Sequence, residues 1–111
     1  MDANLLMKFR ERLDQEAAEL RASDSATRED RAPVELDQTS VGRLSRMDAM
    51  QQQAMASAQS RRRSGRLKAI ELALKRMVDD EFGWCLECGD EIPAGRLDLD
   101  PCVPTCVGCA S

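Results

Sequence analysis

Two Cys-x-x-Cys pairs, Cys85-Leu86-Glu87-Cys88 and Cys106-Val107-Gly108-Cys109, stand 17 residues apart at the end of a 111-residue chain. Each pair turns tightly enough for two sulfurs to reach one ion. Four thiolates at this spacing suit a tetrahedral zinc site with Zn–S distances of ~2.3 Å. Gly89 follows the first pair, where the turn requires a positive φ. With four sulfurs filling the coordination sphere, no position stays open for water. The expected cofactor is therefore one structural Zn2+, held by Cys85, Cys88, Cys106 and Cys109. A fifth cysteine, Cys102, reads as a spectator thiol, with an alternative ligand or redox-responsive neighbour as the sharper reading.

The rest of the composition agrees with a stapled, elongated chain. Phe9, Phe82 and Trp84 are the only aromatic residues. A core of ordinary size is hard to build from three rings, whereas a metal staple or long helices need fewer. Histidine is absent, which removes the usual general base and any imidazole ligand. No nucleophile–base pair or phosphate-cradling glycine loop appears, so the chain does not read as an enzyme. No run of 18 apolar residues exists to span a membrane. The N-terminus carries Asp2, Lys8 and Arg10 among its apolar residues, unlike a secretory signal. These features point to the cytoplasm, where paired thiols stay reduced and hold metal.

Helical periodicity governs the first 80 residues. Leu6, Phe9, Leu13, Ala17 and Leu20 recur at spacings of three and four, predicting an amphipathic helix from about Asn4 to Arg21. Ser23 to Pro33 reads as a polar connector. A second, longer helix is expected from about Asp37–Ser40 to Asp80 or Phe82, with Asp37, Thr39 or Ser40 as its N-cap. Val41, Leu44, Met47, Gln51, Ala54 and Ala58 form one stripe on it, and Leu67, Ile70, Leu74 and Met77 form another. The two are out of phase across Ser60–Gly65 and are read as helix-packing surfaces, with Met47, Met50 and Met55 filling gaps or edges. Ile92 and Leu97 are expected to pack over the metal site and the end of the long helix. Phe82 and Trp84 are expected to pack at the junction. Pro93, Gly95 and Pro101 mark turns, leaving two short strands or none.

The fold class is therefore mostly α: a helical hairpin with a short first and a long second helix over 1–79, then a small four-cysteine zinc finger over 80–111. Charge is uneven along it. The net charge is −4, and between Asp79 and Asp100 eight acids face one base, Arg96. Such a finger does not suit gripping DNA phosphates. A basic cluster, Arg61, Arg62, Arg63, Arg66 and Lys68, lies upstream; it reads as a solvated helix face, or as a contact for an acidic partner.

The string Phe82-Gly83-Trp84-Cys85-x-x-Cys88-Gly89, then Ile92, Arg96-Leu97, Pro101 and Cys106-x-x-Cys109, resembles the zinc finger of the DksA/TraR family. The resemblance is dense from about Asp80 to Ala110 and weaker over residues 1–79. It implies a bacterial transcription regulator that binds RNA polymerase rather than specific DNA sequences, inserting an antiparallel coiled coil into the secondary channel. Acidic residues at the coiled-coil tip then approach the catalytic centre. Some members act with the alarmone ppGpp, which joins RNA polymerase among the implied partners. The family's Asp-x-x-Asp-x-Ala tip motif is missing here, and Glu35 and Asp37 are the nearest acidic candidates at the expected bend. Two other functions fit the residues: a zinc-stabilised adaptor that binds a partner or itself through an uncovered helical stripe, and a thiol or zinc redox sensor.

Overall fold

A computed structural model of the chain describes residues 1–28 and 43–110. Three helices follow in order: α1 (Ala3–Ala26), α2 (Arg43–Val78) and α3 (Ala94–Leu99). Among the described residues no strand forms, and one isolated antiparallel bridge pairs Trp84 with Glu91. No helix of the described residues is long and apolar enough to cross a membrane. Met1–Ala18 together with Leu67–Ser111 makes one compact unit, and Glu19–Arg66 makes a second.

The first unit holds the apolar core. Phe9, Leu13 and Ala17 of α1 are buried with Ile70, Ala73 and Met77 of α2, as the threefold and fourfold spacings dictate. Phe82, Ile92 and Leu97 supply the finger's share, and Leu97 is fully covered. The Phe9 and Phe82 rings meet at a 6.0 Å centroid distance and 53° tilt, within the range aromatic pairs prefer. Trp84 departs from expectation: 48% of it is exposed. Its bridge to Glu91 turns both side chains to one side of the ribbon, whereas Cys85 and Ile92 face inward and are buried.

α2 ends with two reciprocal backbone bonds. Asp80 takes a left-handed φ of 57°; its N–H donates to the Met77 carbonyl, and the Glu81 N–H donates to the Arg76 carbonyl. This arrangement satisfies the last carbonyls and turns the chain toward the finger. Gly83, at φ 92°, follows immediately. The backbone angle calls for glycine; a Cβ there would meet only the flexible end of the Met1 side chain, at 2.9 Å.

Four expectations for the helices are revised. α1 runs through Ser23 to Ala26 rather than stopping near Arg21, because Asp24 and Thr27 find partners on α2 that hold the last turn helical. The first helix therefore has 24 residues against 36 in the second. α2 ends at Val78, because the left-handed Asp80 stops it. The expected turn at Pro93–Gly95 is instead the start of α3, with Pro93 as its N-cap and its carbonyl accepting from the Arg96 and Leu97 N–H groups. Proline suits this position because the first helical turn needs no donor there. The expected start of the second helix at 37–40 and its candidate caps lie outside the described residues.

The larger correction concerns the inner face of α2. Met47, Met50 and Met55 are 60%, 53% and 58% exposed, and Gln51 and Ala54 are also exposed. Of the expected stripe Ala58 is half-buried, Val41 lies outside the described residues, and the other half-buried positions up to Arg63 are Arg46, Ala49, Gln53, Ala56, Ser57, Ser60 and Arg63. These continue at helical spacing into Leu67, Ile70 and Leu74, so the inner face has no phase break. It changes from apolar to polar while keeping its register, because Asp24 draws Ser60 and Arg63 inward to satisfy its carboxylate.

Left-handed backbone at a non-glycine residue is costly, so Asp80→Gly should raise the unfolding midpoint, whereas the β-branched Asp80→Val should cost about 1–2 kcal/mol. Thermal unfolding followed by helical circular dichroism measures both. Equal midpoints in the two variants would show that this terminus does not contribute.

Candidate metal centre

The first knuckle starts where the Trp84–Glu91 bridge delivers Cys85. The Cys85 N–H donates to the Asp90 carbonyl at 2.8 Å, and the Gly89 N–H returns to the Cys85 carbonyl at 3.0 Å. Gly89 has a φ of 76°, which closes this turn as its position after the cysteine pair suggests. The second knuckle repeats the closure: the Ala110 N–H donates to the Cys106 carbonyl at 3.0 Å. In each turn the residue after the second cysteine bonds back to the first, leaving both sulfurs on one side.

Three contacts position the knuckles and α3. The Leu86 N–H donates to the Pro104 carbonyl at 2.9 Å. Arg96 Nε donates to the Thr105 carbonyl at 3.0 Å, tying α3 to the second turn. Arg12 of α1 donates to the Asp98 carbonyl at 2.6 Å, using an orphan acceptor at the end of α3. The accompanying Arg12–Asp98 ion pair is 3.8 Å long and exposed, so it adds little beyond this hydrogen bond.

The resulting sulfurs of Cys85, Cys88, Cys106 and Cys109 all lie within 4.8 Å of one another, with Cys88 and Cys106 at 3.7 Å. A tetrahedron with ~2.3 Å metal–sulfur bonds has edges of ~3.8 Å, so the cluster fits one zinc ion. The donor set is wholly thiolate, and Cys85 is buried. Zinc bound here supplies a structural crosslink, with no water-bearing position.

The thiols also show why this cluster calls for a cation. The Cys88 backbone N–H, working against desolvation, brings Cys85 down to about 6. At Cys88 the Asp90 backbone N–H pulls the thiol down, but the Cys85 sulfur, burial and the Cys106 sulfur outweigh it and the thiol rises. The Cys106 and Cys88 sulfurs push Cys109 up to about 12. Successive deprotonations thus oppose one another, and a bound dication offsets part of the accumulated negative charge and displaces the remaining protons.

Cys102 stands apart from the four. It is buried, its N–H donates to the Asp100 carboxylate at 3.0 Å, and its carbonyl accepts from Arg76 at 3.4 Å. Burial lowers the Arg76 guanidinium, and the Cys102 thiol group opposes that shift. The residue therefore joins the finger to the end of α2. The tip candidates Glu35 and Asp37 lie outside the described residues. Sequence reasoning missed Arg96 and Leu86 as knuckle-holding residues, because a bond to a distant carbonyl leaves no periodic trace. The Asp24–Arg63 contact was equally hidden.

Two long helices carrying a four-cysteine zinc finger define the class. Residues 80–111 match the prokaryotic dksA/traR C4-type zinc finger model. Relatives named RNA polymerase-binding transcription factor DksA, from Escherichia coli (strain K12) and from Salmonella typhimurium, are each 42% identical over 43 residues. That match takes in 39% of this chain and only 28% of the length of each relative. The solved structure of transcription factor DksA2 from Pseudomonas aeruginosa is similar over 97% of this chain and 81% of that one, with a TM-score of 0.78 and 25% identity. The finger of this chain is thus similar to the dksA/traR C4 type over residues 80–111, and the likeness to DksA2 extends over the helices.

In chelator competition with reduced protein, zinc affinity should fall at least about tenfold per pH unit on acidification from about pH 8 to about pH 6, since protons compete for the sulfurs. Cys102→Ser should follow the same curve, whereas Cys88→Ser should lose most of the affinity. A flat pH profile, or a Cys102→Ser loss matching that of Cys88→Ser, contradicts the four-sulfur assignment.

Proposed function

We propose that this protein is a zinc-stabilised, non-enzymatic transcription regulator that binds RNA polymerase and not a specific DNA sequence. The observation that carries the reading is the similarity to DksA2 across nearly the whole chain, helices included. The DksA relatives are named for polymerase binding. The division of labour would fall between a helical hairpin over 1–79 and a finger over 80–111, in the cytoplasm, where RNA polymerase works.

In this reading Cys85, Cys88, Cys106 and Cys109 ligate the ion and hold the finger in shape. The hairpin supplies the contact with polymerase, and Glu35 or Asp37 acts near its bend in place of the missing tip motif. The effect comes from shape and charge, with no bond made or broken. The acidic finger agrees with this: Asp79, Asp80, Glu81, Glu87, Asp90, Glu91 and Asp98 are exposed, and such a surface repels nucleic-acid phosphates. ppGpp belongs to the proposal as a co-effector.

One observation favours a second reading, an adaptor that binds another protein or itself. Met47, Met50 and Met55 expose flexible apolar side chains on α2, and methionine-rich surfaces adapt to varied partners.

Zinc-loaded protein should be retained by core RNA polymerase, be displaced by another secondary-channel factor, and change transcription from a sensitive promoter. Retention that survives competition would move the contact away from the channel. With neither retention nor a change in transcription, the adaptor reading takes precedence.

A further inference from the structure

Within residues 19–66, the contact between α1 and α2 is centred on a charged group. Asp24 Oδ1 accepts from the Ser60 hydroxyl at 2.9 Å and from Arg63 Nε and Nη2, each at 3.4 Å. Arg63 Nη2 also donates to the Thr27 hydroxyl at 2.8 Å. The Thr27 hydroxyl in turn donates to the Ser23 carbonyl at 3.1 Å, one of the acceptors a helix end leaves open. Arg63 thus grips both a carboxylate and the terminus of α1.

Two features mark this as more than a surface ion pair. The Arg63 side chain is only 13% exposed, whereas Asp24 is 38% exposed; a guanidinium this covered is held by partners. Asp24 also sits in the last turn of α1, where the negative end of the helix dipole opposes a carboxylate. Its local position is unfavourable, and Ser60 and Arg63 of α2 both donate to its carboxylate. The neighbouring half-buried positions of α2 are the small or polar Gln53, Ala56, Ser57, Ala58 and Ser60, so large apolar side chains of α2 do not set the register there. The Arg63 guanidinium does, because it reaches both the Asp24 carboxylate and the Thr27 hydroxyl, and its planar donors fix direction as well as distance.

We infer that Arg63 is a positioning residue for the regulatory effect. It fixes the last turn of α1 on α2 directly before residues 29–42, which join the two helices and contain Glu35 and Asp37. This inference rests on the polymerase-regulator reading. It separates affinity, carried by the polymerase contact as a whole, from effect, which needs the joined helix ends held in one register.

The test uses the full, zinc-loaded chain with Arg63→Ala, Arg63→Lys and the swap Asp24→Arg with Arg63→Asp. Residue-resolved amide exchange, affinity for core RNA polymerase and the maximal change in transcription at saturation are measured together. In Arg63→Ala, amides of residues 20–26 should exchange at least about tenfold faster, while those of residues 5–17 and the finger keep their protection. Affinity should stay within about threefold while the maximal effect falls at least about fivefold. Arg63→Lys, with a point charge and no fork, should fall between wild type and alanine, and the swap should recover part of both readouts. General destabilisation would not be reversed by the swap. Should Arg63→Ala fail to fold, Asp24→Asn, which keeps the shape and removes the charge, is read against the same expectations.

Unchanged exchange at 20–26 overturns the clamp. Faster exchange with an undiminished maximal effect overturns the positioning role alone. If the wild-type chain neither binds polymerase nor alters transcription, the regulator reading fails and takes the positioning role with it, while the exchange data still report on the clamp.

Discussion

Four sulfurs gathered around one ion determine the shape of the last 30 or so residues, and most of the first compact unit is arranged around that fact. The two knuckles contain almost no regular secondary structure. Their backbone bonds are short loops closing on Cys85 and Cys106. Structural zinc contributes on the order of 10–16 kcal/mol in small finger peptides at neutral pH. That is as large as the ~5–15 kcal/mol net stability of a typical domain. A segment whose buried side chains include little beyond Phe82, Ile92, Leu97, Pro101 and two cysteines depends on a term of that size.

The ion's influence extends through a few specific contacts. α3 is bonded to the second knuckle through Arg96 and to α1 through Arg12. Phe82 packs at a tilt against Phe9, and Cys102 meets Arg76 at the end of α2. The finger thereby covers the apolar ends of both helices within one unit, which explains how a chain with three aromatic residues builds a core. Residues 19–66 follow different physics, with a shared carboxylate and guanidinium where the first unit has leucine, isoleucine and phenylalanine. A hydrophobic seam tolerates small slips, but a forked, nearly buried arginine does not.

What the sequence made legible follows from the kind of signal each feature leaves. The cysteine pairs, Gly89, and the stripes Leu6–Leu20 and Leu67–Met77 were readable, because metal geometry, a positive φ and apolar spacing are local or periodic. The sequence also carried the family resemblance in the finger. The methionine stripe misled, since apolar periodicity was taken as the inward face, whereas the contacts of Asp24 with Ser60 and Arg63 turned the opposite side in. α3 was missed because Pro93 and Gly95 are turn residues whose helical use depends on Leu97 filling the core. Trp84 was expected to pack at the junction, but its bridge to Glu91 leaves it 48% exposed. Glu35 and Asp37 were named from their place in the expected bend, and no described contact bears on them.

The most direct test is zinc removal from the reduced protein, followed residue by residue by nuclear magnetic resonance. The account predicts that the signals of residues 82–110 collapse toward unfolded positions, that Phe9 and Leu13 lose their packed environment, and that added zinc restores both. A metal-free, reduced chain that keeps dispersed finger signals and an intact Phe9–Phe82 contact would contradict it.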